Sequence, residues 1–335
     1  MKKQTYKLIL KIFGSVIFLL FLITRIDWDA AKFLTIFSNL KLGWFLISLS
    51  GVIVVLGLKS ARWNLLLRSE GCVYPFTSAF IAYMSSFTIG LLTPGRIGEI
   101  ARLYYVREEK DIDFFHSFKT IVTDRIFDFA LLIWFGTSGL MFFYKILGGL
   151  SSPFYLLLVG VLILISWIAG KFILRLIRSK SSIFVFIKEA WSEMFDKKMF
   201  TPWVLTLLSY LLFYVANWFI LLSIDQEISI IEVGFILSLM SLVTLIPITI
   251  AGFGTREASL IYLFAFYGLS PETAIVFSLL QFLAFFLWGG IIGLVFWMSK
   301  PVKLSLIKAD ASKVINLLKP KNGRNKEVEN FTESR

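Results

Sequence analysis

The chain has 335 residues, of which 57% are hydrophobic and 17% are charged, and its mean hydropathy is +0.79. Soluble domains are about 45–50% apolar, so this composition excludes an ordinary soluble enzyme and predicts a polytopic all-α integral membrane protein. The net charge of +12 does not indicate nucleic-acid binding, because the Lys and Arg residues lie between apolar runs and in the C-terminal tail. The single cysteine, Cys72, excludes an intramolecular disulfide.

Six apolar segments are long enough to cross a membrane, since an α-helix needs about 20 residues to span the hydrocarbon core. The first follows a short basic N-terminus and resembles a secretory signal. It lacks a small-residue cleavage site, so we expect it to remain as the first transmembrane helix. The predicted spans are about Leu8 to Thr24, Leu42 to Leu58, Ile126 to Phe143, Phe154 to Gly170, Trp203 to Ile224 and Thr273 to Met298.

Two further apolar regions, Val73–Val106 and Val233–Leu269, are each interrupted near the middle by Pro or Gly residues. The interruptions are the first loop, Pro94–Glu99, and the second loop, Ala251–Glu257. Each region therefore predicts two short helices joined by a polar turn.

The distribution of basic residues distinguishes re-entry from full crossing. If both regions return to the side from which they enter, almost all Lys and Arg residues of the connecting segments become cytoplasmic, as the positive-inside rule requires. The chain then forms two halves, about 1–148 and 149–298, each with three spans and one re-entrant hairpin, in an inverted repeat with cytoplasmic termini. Residues 299–335 would be a basic, partly disordered cytoplasmic tail. The alternative is that Gly and Pro occur here only because they are common in membrane helices.

Each loop carries an arginine beside glycines at the start of a short helix. Unpaired backbone N–H groups before a helix, together with the helix dipole, favour an anion. With two arginines added, the best-fitting ligand class is a phosphate-bearing lipid head group. The alternative pairs each arginine with the neighbouring glutamate as internal neutralisation. The candidate substrate-binding residues are Arg96, Glu99, Gly252, Gly254, Arg256 and Glu257.

Three charged residues, Asp124, Arg125 and Asp128, lie at the start of the third predicted span. We expect Asp124 to be the N-cap of that helix, where the dipole stabilises a carboxylate. Asp128 lies one turn further on and is the better candidate for a proton carrier or a salt-bridge partner of a loop arginine. His116 is the only histidine and no nucleotide-binding loop occurs, so we expect no metal site and no cofactor.

Three ordered motifs carry a resemblance to a known family: Pro94–Glu99, Thr123–Asp128 and Gly252–Glu257. Together they resemble the flippase-like membrane domain of lysylphosphatidylglycerol synthases, over about Leu8 to Met298. Two departures concern substrate choice: the second loop lacks the Pro-Gly-Gly-x-Gly pattern, and Gln281 stands in the last span where many members carry an arginine. The synthases add a soluble aminoacyl-transferase domain, so the resemblance implies the membrane part alone and not an enzyme.

The resemblance and the loops together lead to an expected function. We expect a translocator in the cell membrane for an anionic, aminoacylated or polyprenyl-linked lipid, with inverted halves giving alternating access. Its expected partners are that lipid and a separately encoded lipid-modifying enzyme, and not nucleic acid. Two alternatives are a subunit of a lipid-modifying transferase and a structural subunit of an envelope-polymer assembly complex.

Overall fold

The computed structural model of the protein describes residues 29–110, 112–146, 191–244 and 254–301. Within these ranges every regular element is a helix and no strand occurs, which confirms the predicted all-α class. Four helices are long and apolar enough to cross a membrane, and they coincide with four of the six predicted spans. They are Leu42–Ser69, Phe114–Phe143, Lys197–Ser223 and Pro271–Ser299.

The other two predicted spans, Leu8–Thr24 and Phe154–Gly170, lie outside the described residues, as does the tail beyond position 301. The α-helices that are described are α1 (Ala30–Ser38), α2 (Leu42–Ser69), α3 (Phe76–Leu91), α4 (Ala101–Lys110), α5 (Phe114–Ile146), α6 (Phe200–Ser223), α7 (Ile230–Thr244), α8 (Thr255–Ala265), α9 (Pro271–Gln281) and α10 (Gly289–Ser299). A 3-10 helix, Pro94–Ile100, leads into α4, and a π-helical segment, Phe282–Trp288, joins α9 to α10.

Two long helices extend beyond their predicted ends. α2 continues past Leu58 to Ser69, and α5 begins at Phe114, whereas the prediction placed its start at Ile126. The predicted spans ended at charged residues, because a charge exposed to hydrocarbon is costly. In the structure those charges pair with one another inside the protein, so both helices continue through them.

Both interrupted regions form two short helices, as predicted. α3 packs against the 3-10 helix and α4, while α7 packs against α8. Residues 245–253, which include the first three residues of the second loop, lie outside the described part of the chain. The re-entrant path of each pair, the two halves and their inverted repeat stay predictions.

The chain forms two compact units, and the boundary between them falls within each of the four long helices. Each unit is assembled from three separate stretches of sequence. Unit 1 consists of Met1–Val55, Leu131–Leu158 and Tyr210–Trp288, and unit 2 of Leu56–Ala130, Val159–Ser209 and Gly289–Arg335.

Unit 1 contains a close approach of two helices and a buried hydrogen bond that joins one of them to a third. A Cβ on Gly51 of α2 would lie 3.1 Å from the Cβ of Ala216 in α6, so the two backbones approach closely. Buried Tyr214 shares a hydrogen bond of 2.7 Å with Ser238 of α7. This hydrogen bond fixes α7, the helix that precedes the second loop, against α6.

In unit 2, α3 packs along α10. The Thr88 hydroxyl donates a hydrogen bond of 2.8 Å to the carbonyl oxygen of Gly290. The rings of Phe80 and Phe296 meet edge to face, 5.5 Å apart. This packing fixes the C-terminal end of α3, from which the first loop departs.

Candidate functional site

A connected group of eight charged side chains lies within unit 2, and we call it the basic cluster. Helices α2 and α5, the first loop and α4 contribute its members. Five are basic and three are acidic, linked through shared carboxylates. They are Lys59, Arg62, Arg96, Glu99, Arg102, Asp124, Arg125 and Asp128.

Asp124 is the centre of the cluster's buried base. Arg62 Nε donates to its Oδ1 at 2.8 Å, and Arg102 Nη2 donates to its Oδ2 at 3.0 Å. All three side chains are 0–1% exposed. The prediction that Asp124 caps a helix is wrong, because α5 begins ten residues earlier, where the Phe115 N–H donates to Asp113 Oδ2 at 2.7 Å.

Asp128 lies one turn along α5 from Asp124 and binds two cations of α2. It accepts hydrogen bonds from Arg62 Nη1 at 2.8 Å and from Lys59 Nζ at 3.0 Å. Asp128 is therefore a salt-bridge partner, as one interpretation of the sequence expected, but the cations that bind it most closely belong to α2. Arg125 Nη1 lies 3.9 Å from Asp128 Oδ2.

Sequence reasoning missed Lys59, Arg62 and Arg102. A signal was present, because Lys59 and Arg62 are three residues apart on α2 while Asp124 and Asp128 are four apart on α5. Such spacings place both members of each pair on one helix face. Two faces of opposite charge predict a contact, although the sequence alone did not place the two helices side by side.

Arg102 is held by aromatic rings as well as by its carboxylate. Its guanidinium carbon lies 5.1 Å from the ring centroids of both Trp63 and Tyr83. The Trp63 indole donates to Thr120 Oγ1 at 3.0 Å, which fixes the ring between α2 and α5. Cation–π contacts of this kind are worth about 2 kcal/mol or more when desolvated, so Arg102 belongs to a rigid base.

The first loop is a tight 3-10 helix, and the N–H of Gly98 within it is engaged in the chain. The Gly98 N–H donates to Thr93 Oγ1 at 2.7 Å. A Cβ on Gly98 would lie 2.5 Å from the carbonyl oxygen of Ile89, so a larger residue does not fit there. The expectation of unpaired N–H groups is therefore wrong for Gly98.

Arg96 and Arg125 form the exposed rim of the cluster, with side chains 41% and 33% exposed. Both contact Glu99: Arg96 Nη1 lies 3.6 Å from Oε1, and Arg125 Nη2 pairs with Oε2. The Arg96 guanidinium lies over the Phe87 ring at 5.3 Å. Its backbone has φ +57°, a left-handed conformation that costs about 1–2 kcal/mol for a residue with a side chain. Such strain is typical of functional positions.

Arg256 and Glu257, at the end of the second loop, form an ion pair in unit 1. Arg256 donates to Glu257 Oε1 from Nη2 at 2.8 Å and from Nε at 3.1 Å, and both side chains are buried. The Ser278 hydroxyl donates to the same oxygen at 2.5 Å. Gly254, at φ +89°, donates its N–H to Glu257 Oε2 at 2.6 Å, so this N–H is occupied within the chain. The internal neutralisation of Arg256 is confirmed, and Gly252 lies outside the described residues.

Gln281 is buried in unit 1, one turn beyond Ser278 on α9. Its Nε2 donates to Asn217 Oδ1 at 2.7 Å, and Asn217 Nδ2 donates to the carbonyl oxygen of Phe213 at 2.8 Å. The position at which many members of the resembled family carry an arginine therefore holds a neutral amide pair in this chain. The π-helical segment begins at the next residue, Phe282.

Neither unit brings together three or more His, Cys, Asp and Glu residues in an arrangement suited to a metal, as far as the described residues extend. Four of the cluster's five basic side chains are arginines, and planar guanidinium groups bind carboxylates and phosphates.

Comparison with known proteins places the chain in a family. Residues 8–293 match the family described as the lysylphosphatidylglycerol synthase TM region. The chain is also 24% identical over 320 residues to a UPF0104 membrane protein of Methanocaldococcus jannaschii, a match that covers 88% of this chain and 95% of the relative. No solved structure matches the chain.

Proposed function

The chain belongs to the family of the lysylphosphatidylglycerol synthase transmembrane region, and from that premise we propose that it translocates an anionic lipid of the cell membrane. The lipid's phosphate binds at the rim of the basic cluster, between Arg96 and Arg125. The observation that carries the proposal is the convergence of two partly exposed arginines, Arg96 and Arg125, on Glu99 at the rim of the cluster.

Charged side chains within a membrane protein are costly and mark functional sites. In a bilayer the abundant anion is the lipid phosphate, and guanidinium forks match its oxygens. The cluster begins at Lys59, directly after the apolar stretch Leu42 to Leu58. It therefore lies at the depth where an apolar span ends, which is also where head groups lie.

Translocation requires a binding site that stays in place and side chains that a head group can reach. The base of the cluster suits the first requirement and the rim suits the second. The base of Arg62, Arg102 and Asp124 keeps the site in place, since each side chain is buried and hydrogen-bonded. The rim presents two partly exposed arginines to a head group. The second loop, with its neutral Arg256–Glu257 pair, supports a structural task better than head-group binding.

The test is translocation in vesicles that contain the purified protein. A phosphatidylglycerol with a fluorescent acyl chain is included in both leaflets, and dithionite added outside bleaches only the outer-leaflet label. Wild-type protein should bring inner-leaflet label to the surface, so bleaching should proceed well beyond the half seen in protein-free vesicles.

The decisive variant is Arg96→Gln, which removes a rim charge whose side chain is partly exposed. It should abolish the additional bleaching while leaving the amount of folded protein unchanged. Arg68→Gln is the matched control, because Arg68 is an exposed arginine in the last turn of α2, outside the cluster, and its activity should equal wild type. Equal activity of the Arg96→Gln protein would contradict the proposal, and a wild-type protein without translocation would favour the transferase-subunit or structural-subunit alternatives.

A further inference from the structure

We propose that Glu99 is an intramolecular competitor for the lipid phosphate: its carboxylate holds the place at the rim of the basic cluster that the phosphate takes, and its return expels the lipid. This inference rests on the proposed function in one respect, that the ligand is the lipid phosphate which binds between Arg96 and Arg125. It goes further by assigning the release of that lipid to one side chain of the first loop.

The Glu99 carboxylate is an anion that already lies at the rim. Its Oε1 is 3.6 Å from Arg96 Nη1, and its Oε2 pairs with Arg125 Nη2. Guanidinium groups bind carboxylates and phosphates through the same N–H donors. A phosphate that binds between the two arginines therefore meets donors that the carboxylate occupies, and a negative charge within a few ångströms of its own. Both effects oppose binding while Glu99 stays in place.

The position of Glu99 is set by two glycines as well as by the arginines. A Cβ on Gly90 of α3 would lie 2.7 Å from Glu99 Cγ, so the side chain lies directly against the helix backbone. A Cβ on Gly98 would lie 2.5 Å from the carbonyl oxygen of Ile89, so the loop itself rests on the same turn of α3. Because this packing already restricts the side chain, little conformational entropy opposes its pairing with the arginines. The carboxylate is therefore an effective competitor.

Glu99 can leave the rim without disturbing the base of the cluster. The base is held by Asp124, which binds the buried side chains of Arg62 and Arg102. The ion pairs of Glu99 among the described residues are both with the rim arginines. A phosphate that displaces Glu99 therefore takes over its contacts at the rim and leaves the base intact. A transport site needs such a balance, because a ligand that is bound too tightly does not leave.

The test compares Glu99→Gln with wild type in two assays of the full-length protein. Isothermal titration calorimetry in detergent measures binding of dihexanoyl phosphatidylglycerol, and the dithionite assay measures translocation. Glutamine keeps the size of the side chain and removes its charge, so we expect the lipid to bind about tenfold tighter or more. The tighter complex should release lipid more slowly, so dithionite bleaching should proceed more slowly than with wild type.

A second variant and a control accompany this change. Glu99→Asp keeps the charge but shortens the side chain by one methylene, so its carboxylate no longer spans both arginines. It should bind the lipid more tightly than wild type and less tightly than Glu99→Gln. Glu108→Gln is the matched control, because Glu108 is an exposed glutamate of α4 outside the cluster, and it should bind and translocate as wild type does. Inorganic phosphate, the second probe, should bind more weakly than the lipid, because it lacks the acyl chains.

Equal or weaker lipid binding by both Glu99 variants would overturn the inference, since that result is expected if Glu99 only orients the arginines. Tighter binding with unchanged translocation would overturn the role of Glu99 in release. In either case, loss of translocation in the Arg96→Gln protein would leave the proposed function standing. Absence of lipid binding by wild type and by Glu99→Gln alike would refute the site itself, and with it the proposed function. Inorganic phosphate binding as tightly as the lipid would show a site for free anions and overturn the assignment to a lipid.

Discussion

Replacing Arg256 by glutamine removes one half of a buried ion pair in unit 1. The Glu257 carboxylate would lose two hydrogen bonds, at 2.8 and 3.1 Å, and the cation with which it is paired. Breaking a buried pair costs about 3–5 kcal/mol, because the remaining charge is left uncompensated. Glu257 keeps the Gly254 N–H and the Ser278 hydroxyl as donors. We therefore expect the free energy of unfolding to fall by about 3 kcal/mol, the lower end of that range.

Unfolding of the protein by sodium dodecyl sulfate in mixed micelles measures this loss. The double change Arg256→Gln with Glu257→Gln should recover most of it, since a glutamine in the third helical position still supports the capping interaction. Lys198→Gln is the control: its partner is Asp196 at 3.7 Å, both side chains are about half exposed, and the cost should stay below about 1 kcal/mol. A stable Arg256→Gln protein, or a double variant no better than the single one, would refute the reasoning.

Three further predictions follow from the burial, the packing and the expected topology. Asp124→Asn should lower the free energy of unfolding by about 3–5 kcal/mol in the same micelle assay, because it leaves two fully buried arginines without their shared carboxylate; an unchanged value would contradict the burial argument. Gly293→Ala should destabilise by about 1–3 kcal/mol, because its Cβ would overlap the Met84 carbonyl oxygen, whereas Gly43→Ala, with open space around it, should be nearly neutral. With the native cysteine replaced, an impermeant thiol reagent outside intact cells should label Glu227→Cys but not Lys110→Cys; labelling of the latter would make the first hairpin a full crossing.

The native cysteine must be removed for the labelling experiment, although it should react slowly. Cys72 is buried, and this burial raises the pKa of its thiol above the usual range. Because the thiolate is the reactive form, a raised pKa lowers the reactive fraction at neutral pH. Slow reaction of the wild-type protein, compared with the protein unfolded in detergent, would agree with this description.

The helical class and the division of each interrupted region into two short helices were predictable because they depend on local sequence. Apolar runs of suitable length predicted α2, α5, α6 and the helix that begins at Pro271. Pro94 and the glycines near it predicted the break between α3 and α4. In each case the physical cause lies within about 20 residues of the feature, so no tertiary information is needed.

The cluster was only partly predictable because its contacts join distant parts of the chain. Arg62 lies 62 residues from Asp124, and nothing in either segment alone specifies that partner. The same long-range pairing explains why hydropathy ended α2 and α5 too early. A charge that is neutralised inside the protein does not end a helix, whereas the same charge facing lipid would. For Arg256 the partner is the next residue, and the sequence interpretation therefore included it.

Native mass spectrometry of the protein extracted from its own membranes tests the central claim most directly, that a lipid phosphate binds at the rim of the basic cluster. We predict that wild-type protein and Arg68→Gln retain an anionic lipid that resists gentle activation, and that Arg96→Gln loses it. The same lipid adducts on all three proteins, or adducts that mirror the bulk composition of the membrane, would contradict the claim.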